Sequence, residues 1–240
     1  MDAKSLQAEL SKHASENDAV ELSRFFKTGK GQYGEGDLFL GIKVPVTRKI
    51  CSSFKQMSLV EIEKLLESPI HEHRVSALLI MVSQFNTKSY GDDYRKSLFD
   101  LYLRRTDRIN NWDLVDLSCR DIVGEWLMDK PRKPLYSLAV SKSMWERRIA
   151  IVTTWQFIRN FDFGDTLAIS EILINDKEDL IHKASGWMLR EAGKRDVDVL
   201  LDFLNKNAHI MPRTMLRYSI EKLTPEQRSY YMLKKAVKNR

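Results

Sequence analysis

Trp112 and Asp116 stand one helical turn apart in the stretch Ile109-Asn110-Asn111-Trp112-Asp113-Leu114-Val115-Asp116. At about 100° per residue their side chains point the same way, while Val115, Cys119, Ile122 and Trp126 form a separate apolar stripe that can face a core. The pair therefore lies beside the core. An indole next to a carboxylate suits chemistry that builds positive charge against a flat apolar surface. A plainer reading stands next to it: Asp116 precedes Arg120 at the spacing favoured for a helix-surface salt bridge, and Trp112 could be a packing residue. Asp113, about 100° round the helix from Trp112, is a second and weaker carboxylate candidate.

The elements that must position this pair are helical almost throughout. Apolar positions Leu6, Leu10, Val20, Leu22, Phe25 and Phe26 predict two short amphipathic helices over 4–27, and further helices are predicted over 45–56, 58–67, 71–85, 90–105, 110–128, 133–141, 144–159, 164–174, 178–192, 195–206, 212–221 and 225–238. No segment shows sustained alternation of period two. The segments beginning at His73, Trp112, Glu146, Ile181 and Arg213 resemble one another at intervals of about 32 to 39 residues. Two-helix repeats have that period, because each hairpin buries its apolar face only against its neighbours. The expected fold is all-α: a right-handed α-solenoid of HEAT-like helical hairpins forming a single domain over 1–240, with the recurring helices lining a basic concave groove.

On that arrangement Arg74, Arg147, Arg148, Lys183, Arg190, Arg213 and Arg217 gather on the inner surface, where a phosphate backbone would release counterions on binding. Lysines and arginines also decorate any solvated helix face. Trp187 lies about 120° from the stripe Ile181, Ala184, Ser185 and Met188, on the side of Lys183 and Arg190, which suits a platform for sugar or base, or packing between repeats. Arg148 shares its side of the helix with Trp145, Val152 and Trp155, so it could instead be a cation stacked on tryptophan.

Other classes of function find less support. The chain carries 39 Lys and Arg against 33 Asp and Glu, a net charge of +6, which permits a polyanionic partner without requiring one. No uncharged run approaches the length of a membrane span, so the expected location is cytoplasmic, nucleoid-associated if bacterial. Cys51 and Cys119 have no metal-ligand spacing and read as reduced thiols; His71-Glu72-His73 lacks the spacing of a helical zinc site. No metal or cofactor is expected. Thr28 to Asp37 concentrates four of the ten glycines and must be a loop. Its Gly29, Gly31 and Gly34 spell G-x-G-x-x-G, but no strand precedes them and Glu35 and Asp37 would repel phosphate, so dinucleotide binding is rejected.

Taken in order, several motifs resemble the AlkD-type DNA alkylation-repair glycosylases, a family built of HEAT-like repeats. They are Gly41-Ile42-Lys43-Val44-Pro45 with Arg48, His71-Glu72-His73-Arg74 with Ala77-Leu78, Asn111 to Asp116, Arg147-Arg148-Ile149-Ala150, Lys183 to Glu191 and Met211 to Tyr218. The resemblance covers essentially the whole chain. It implies that Asp116 is the catalytic aspartate, that Trp112 and Trp187 contact sugar and backbone, and that Arg148 is the active-site arginine. It further implies a monomer acting on double-stranded DNA that contains cationic N3- or N7-alkylated purines, without a deep base-flipping pocket. Arg74, Arg147, Lys183, Arg190, Arg213 and Arg217 are then the expected DNA-binding residues. The alternative is a noncatalytic helical-repeat protein that binds damaged or branched DNA, and a protein-binding scaffold is a third reading.

Overall fold

A computed structural model describes residues 1–233 of the chain. The last predicted helix, 225–238, therefore lies partly outside the described residues. The described chain is all-α among its regular elements, with one isolated bridge between Leu38 and Ile70. Packing groups it into two compact units, Met1–Trp126 and Leu127 onward.

The first unit contains α1 (Ala3–Ser11), α2 (Glu16–Phe25), α3 (Val44–Cys51), α4 (Leu59–Leu66), α5 (His71–Phe85), α6 (Gly91–Arg104) and α7 (Trp112–Asp116). Side-chain caps set several starts: Asp2, Ser15 and Ser58 each accept a backbone N–H from the first turn of α1, α2 and α4, and Pro45 occupies the first turn of α3. Helix α5 is buried along nearly its whole length and packs against α3, α4, α6 and α7. That burial explains why its apolar residues, Val75 and Ala77 to Met81, run almost without interruption.

The helix predicted over 110–128 is not continuous. After α7 the backbone tightens, and the Ser118 N–H bonds to the Val115 carbonyl at 3.1 Å. Leu114 thereby loses the amide that an α-helix would give it, and the Ser118 hydroxyl donates to its carbonyl at 2.6 Å in replacement. The buried Tyr102 hydroxyl lies 3.1 Å from the same Ser118 oxygen. The chain then widens into a π-helical stretch, Arg120–Gly124. Val115, Cys119 and Ile122 are all buried, as the stripe predicts.

The second unit contains α8 (Lys133–Ala139), α9 (Met144–Thr153), α10 (Trp155–Arg159), α11 (Gly164–Ile172), α12 (Asp179–Arg195), α13 (Val197–Asn207), α14 (Arg213–Ser219) and α15 (Pro225–Leu233). The segment read as one helix over 144–159 is divided at Thr154. Three of the recurring segments fall on α9, α12 and α14, and α12 packs on both of the others. Gly186 allows the closest approach: a Cβ there would stand 2.5 Å from the Met215 carbonyl oxygen and 2.6 Å from the Tyr218 Cβ. Ile174, Leu189, Leu200, Phe203, Leu204, Met215 and Leu216 fill the core beneath.

Candidate functional site

A buried carboxylate organises the first unit. Asp37, at the end of the glycine-rich loop, accepts from Arg74 Nη2 at 2.6 Å and from Asn111 Nδ2 at 3.3 Å, and lies 3.2 Å from His71 Nδ1. The other ring nitrogen of His71, Nε2, lies 2.8 Å from Asp113 Oδ2. With a carboxylate against each nitrogen, both must carry protons, because a bare lone pair would face an oxygen lone pair. Burial opposes the imidazolium, but Asp113 and Asp37 outweigh it and the pKa of His71 rises to about 9. Burial likewise opposes ionisation of Asp37, yet His71 and Arg74 hold its carboxyl below the ordinary range.

This network fixes the start of α7 from both sides. The Asn111 side chain donates to Asp37 while its carbonyl oxygen accepts the Trp112 N–H at 2.8 Å, and Asp113 is held by His71. Glu72 ties the chain in a second place: its carboxylate accepts the backbone amides of Leu40, Gly41 and Ile42 at 2.9, 2.9 and 3.1 Å. Gly41 sits at φ +84°, and a Cβ there would meet the Ser15 carbonyl oxygen at 2.1 Å, so neither the turn nor the approach to α2 admits a side chain. The glycine-rich loop is thus a loop, as expected, and is locked to α5. Its Gly31 amide bonds to Glu35 at 2.7 Å, so that carboxylate occupies the donor a phosphate would need.

Trp112 and Asp116 line one cleft of about 520 Å³, together with Phe25, Phe26 and Phe39. The i, i+4 reading therefore places both side chains on the same wall despite the helix break beyond Asp116. Trp112 stacks on Phe26 at 5.2 Å and 21°, Phe26 stacks on Phe39 at 5.2 Å and 17°, and Phe39 stacks on the His71 ring at 4.6 Å. The cleft can accept a flat group beside a carboxylate. Asp113 lines it too and is bonded to His71.

In the second unit, Trp187 is half-buried and donates from Nε1 to Glu191 at 3.1 Å. Arg148 is 6% exposed and donates from Nη1 to the Leu180 carbonyl at 2.9 Å, so it supports the first turn of the helix that carries Trp187. The expected phosphate-binding cations divide into two groups. Arg74 is 1% exposed and its guanidinium bonds to Asp37 and to the Ser68 carbonyl, so it is a core residue and corrects the surface reading. Arg147 is likewise committed, gripping Asp176 through two nitrogens at 2.6 and 3.2 Å. Lys183 pairs with Asp179 at 2.8 Å, and Arg190 pairs with Glu221. Arg213 and Arg217 are exposed, Arg213 donating to the Met232 carbonyl.

Sequence reasoning passed over Asp37, His71 and Glu72. The spacing test on His71-Glu72-His73 asked about zinc, whereas the partners of these residues lie about thirty to forty residues away along the chain. Among the described residues no group of three or more His, Cys, Asp or Glu could hold a metal ion, and no helix is long and apolar enough to cross a membrane. Cys51 and Cys119 are free and buried.

Comparison with known proteins gives two positive findings. The sequence profile of a family described as DNA alkylation repair enzyme matches residues 6–223. A solved structure described as a predicted DNA alkylation repair enzyme from Enterococcus faecalis is similar in fold, with a TM-score of 0.69 and 16% identity over 88% of this chain and 97% of that one. No curated protein matches the sequence.

Proposed function

Because the chain belongs to the DNA alkylation repair enzyme family, we propose that it is a monofunctional DNA glycosylase that hydrolyses the N-glycosidic bond of cationic N3- and N7-alkylpurines in duplex DNA. The observation that carries this reading is the placement of Trp112 and Asp116 on one wall of an aromatic cleft. An N3- or N7-alkylpurine already bears positive charge and leaves as a neutral base, so the reaction needs no general acid. The sugar becomes oxocarbenium-like as the bond lengthens, and a fixed carboxylate beside it stabilises the charge most where water is partly excluded. Asp116 has that role, and it also orients the attacking water.

Trp112 holds the sugar against Asp116, and the stack behind it through Phe26 to Phe39 keeps the indole from turning away. Trp187 contributes a second platform for sugar or backbone. Arg148, which also donates to the Leu180 carbonyl, pins an adjacent phosphate. Of the expected surface cations, Arg213 and Arg217 are the exposed pair left to hold the duplex, because Arg74 is enclosed and Arg147, Lys183 and Arg190 have acidic partners.

The test is release of free 7-methylguanine and 3-methyladenine from methylated duplex DNA by the wild-type protein and by Asp116→Asn at matched salt. Removing a group that stabilises developing charge is expected to slow release by about 10²–10³-fold while DNA affinity persists. Tight binding with no release by either protein would replace this reading with the noncatalytic one.

A further inference from the structure

Trp112 and Trp187 are held by different means. Trp112 is clamped by a stack of rings, Phe26 and then Phe39. Trp187 is half-buried on α12, which approaches α14 closely at the neighbouring Gly186, where a Cβ would stand 2.5 Å from the Met215 carbonyl oxygen. That contact fixes the helix but leaves the two side-chain torsions of the indole to be set by something else. The tip of the ring sets them: Nε1, its one polar atom, donates to Glu191 Oε1 at 3.1 Å.

The spacing explains why this carboxylate can reach. Side chains on an α-helix lean toward its N-terminus, so a residue four places on lies over the one before it. Glu191 leans back on Trp187, and Lys194 leans back on Glu191, with Nζ 2.7 Å from the same Oε1. Arg190 Nε stands 3.7 Å from that oxygen, and its Nη1 pairs with Glu221. The Glu191 side chain is only 17% exposed. One anchored oxygen thus takes the indole N–H, in a charge-assisted hydrogen bond stronger and more directional than a neutral one.

This arrangement works against simple DNA binding. An acid beside Arg190 and Lys194 opposes any phosphate drawn to them, so a surface built only to grip a polyanion would be better without it. The hydrogen bond has a second effect. It occupies the N–H edge of the indole, and only the ring face and the C–H edges are left to meet a ligand. Such a ring meets a sugar or base by apolar contact and offers no donor to a phosphate oxygen.

We propose that Glu191 is a positioning residue for the repair reaction: it holds Trp187 by the indole N–H so that the ring turns its apolar side to the DNA sugar, and it weakens nonspecific phosphate binding in doing so. The proposal rests on the glycosylase reading for the role of Trp187.

Two readouts test it, and the first needs no catalysis. The chain has five tryptophans, and the indole N–H resonance of Trp187 is the one lost in Trp187→Phe. In Glu191→Ala, hydrogen exchange of that N–H is expected to be at least about tenfold faster than in wild type, the equivalent of one charged hydrogen bond, with the other indole resonances unmoved as evidence of an intact fold. Glu191→Gln, whose side-chain carbonyl accepts the same N–H, should restore slow exchange, and Lys194→Ala should leave it slow. The second readout is steady-state release of 7-methylguanine from methylated duplex, beside affinity for undamaged duplex at matched salt. Glu191→Ala is expected to lower kcat by about 10–100-fold without raising KM, because a contact group moved out of place costs that much, and to bind undamaged duplex more tightly. Glu191→Gln should keep the tighter binding and recover most of kcat. Equal indole exchange in wild type and Glu191→Ala overturns the proposal. So does a loss of kcat that Glu191→Gln does not recover, or weaker binding of undamaged duplex by Glu191→Ala. If no protein releases a base, wild type included, the glycosylase reading fails, and the exchange and affinity measurements still decide whether Glu191 holds Trp187 against phosphate binding. Release by wild type with unchanged exchange in Glu191→Ala removes the proposal and leaves the glycosylase reading standing.

Discussion

Raising the pH should loosen the first unit through a single residue, His71. Both of its ring nitrogens face buried carboxylates, at 3.2 and 2.8 Å, and its pKa is raised from 6.5 to about 9. A group whose pKa is higher in the folded than in the unfolded chain contributes stability that is fully present below the unfolded value and disappears as the pH climbs through the folded one. The window therefore runs from about pH 6.5 to about pH 9. Its size, at about 1.4 kcal/mol per pH unit, is about 3 kcal/mol, a large part of the stability of a domain this size. Urea unfolding followed by far-UV circular dichroism between pH 6 and 10 measures it, and His71→Gln supplies the comparison. The variant should be less stable than wild type at pH 6 and should lack the additional decline between pH 6.5 and 9. Parallel curves for the two proteins, or a His71 imidazole that titrates near 6.5 by NMR, would refute the imidazolium clamp.

Other perturbations should have separable effects. His73 is pushed down to about 4 by burial and by Arg74, so its contribution is present above pH 6.5 and is lost as the pH falls toward 4; His73→Gln should flatten acid unfolding in that range. Asp37→Ala strands the enclosed Arg74 guanidinium and should cost about 3–5 kcal/mol by urea unfolding; a cost under about 1 kcal/mol would contradict the keystone role given to Asp37. Gly186→Ala forces a Cβ into the Met215 carbonyl and should destabilise the second unit by about 1–3 kcal/mol, read as a lowered midpoint of its transition. Arg147→Ala should lower stability while leaving the salt dependence of DNA binding nearly unchanged, whereas Arg217→Ala should reduce that salt slope by about one at unchanged stability.

The helix positions were legible because their signals are local: serine and aspartate caps, Pro45 in the first turn of α3, and apolar periodicity. The common wall of Trp112 and Asp116 was legible for the same reason, since it depends on one turn of helix. What escaped depends on distant partners. Arg74 reads as a surface cation until Asp37, 37 residues earlier, is brought against it. The break after α7 turns on whether a serine hydroxyl replaces one backbone hydrogen bond, a choice no period or propensity announces. Lys43 and Arg48 belonged to a recognisable motif, but only the fold brings them to the lining of the cleft that holds Trp112 and Asp116.

The π-helical stretch Arg120–Gly124 has a consequence for how this protein can change over generations. A π turn closes its hydrogen bond over one residue more than an α turn, so it accommodates a single inserted residue without unravelling the helix. Losing one residue there would rotate the chain beyond Gly124 by about 100° against α7. Trp112 and Asp116 would keep their place while Trp126 changed its bearing, or the reverse. The stretch thus acts as a phase joint between the inheritance of a site and the inheritance of a core: a lineage can refit the packing beyond Gly124 by a change of length, with the tryptophan and the aspartate left as they were.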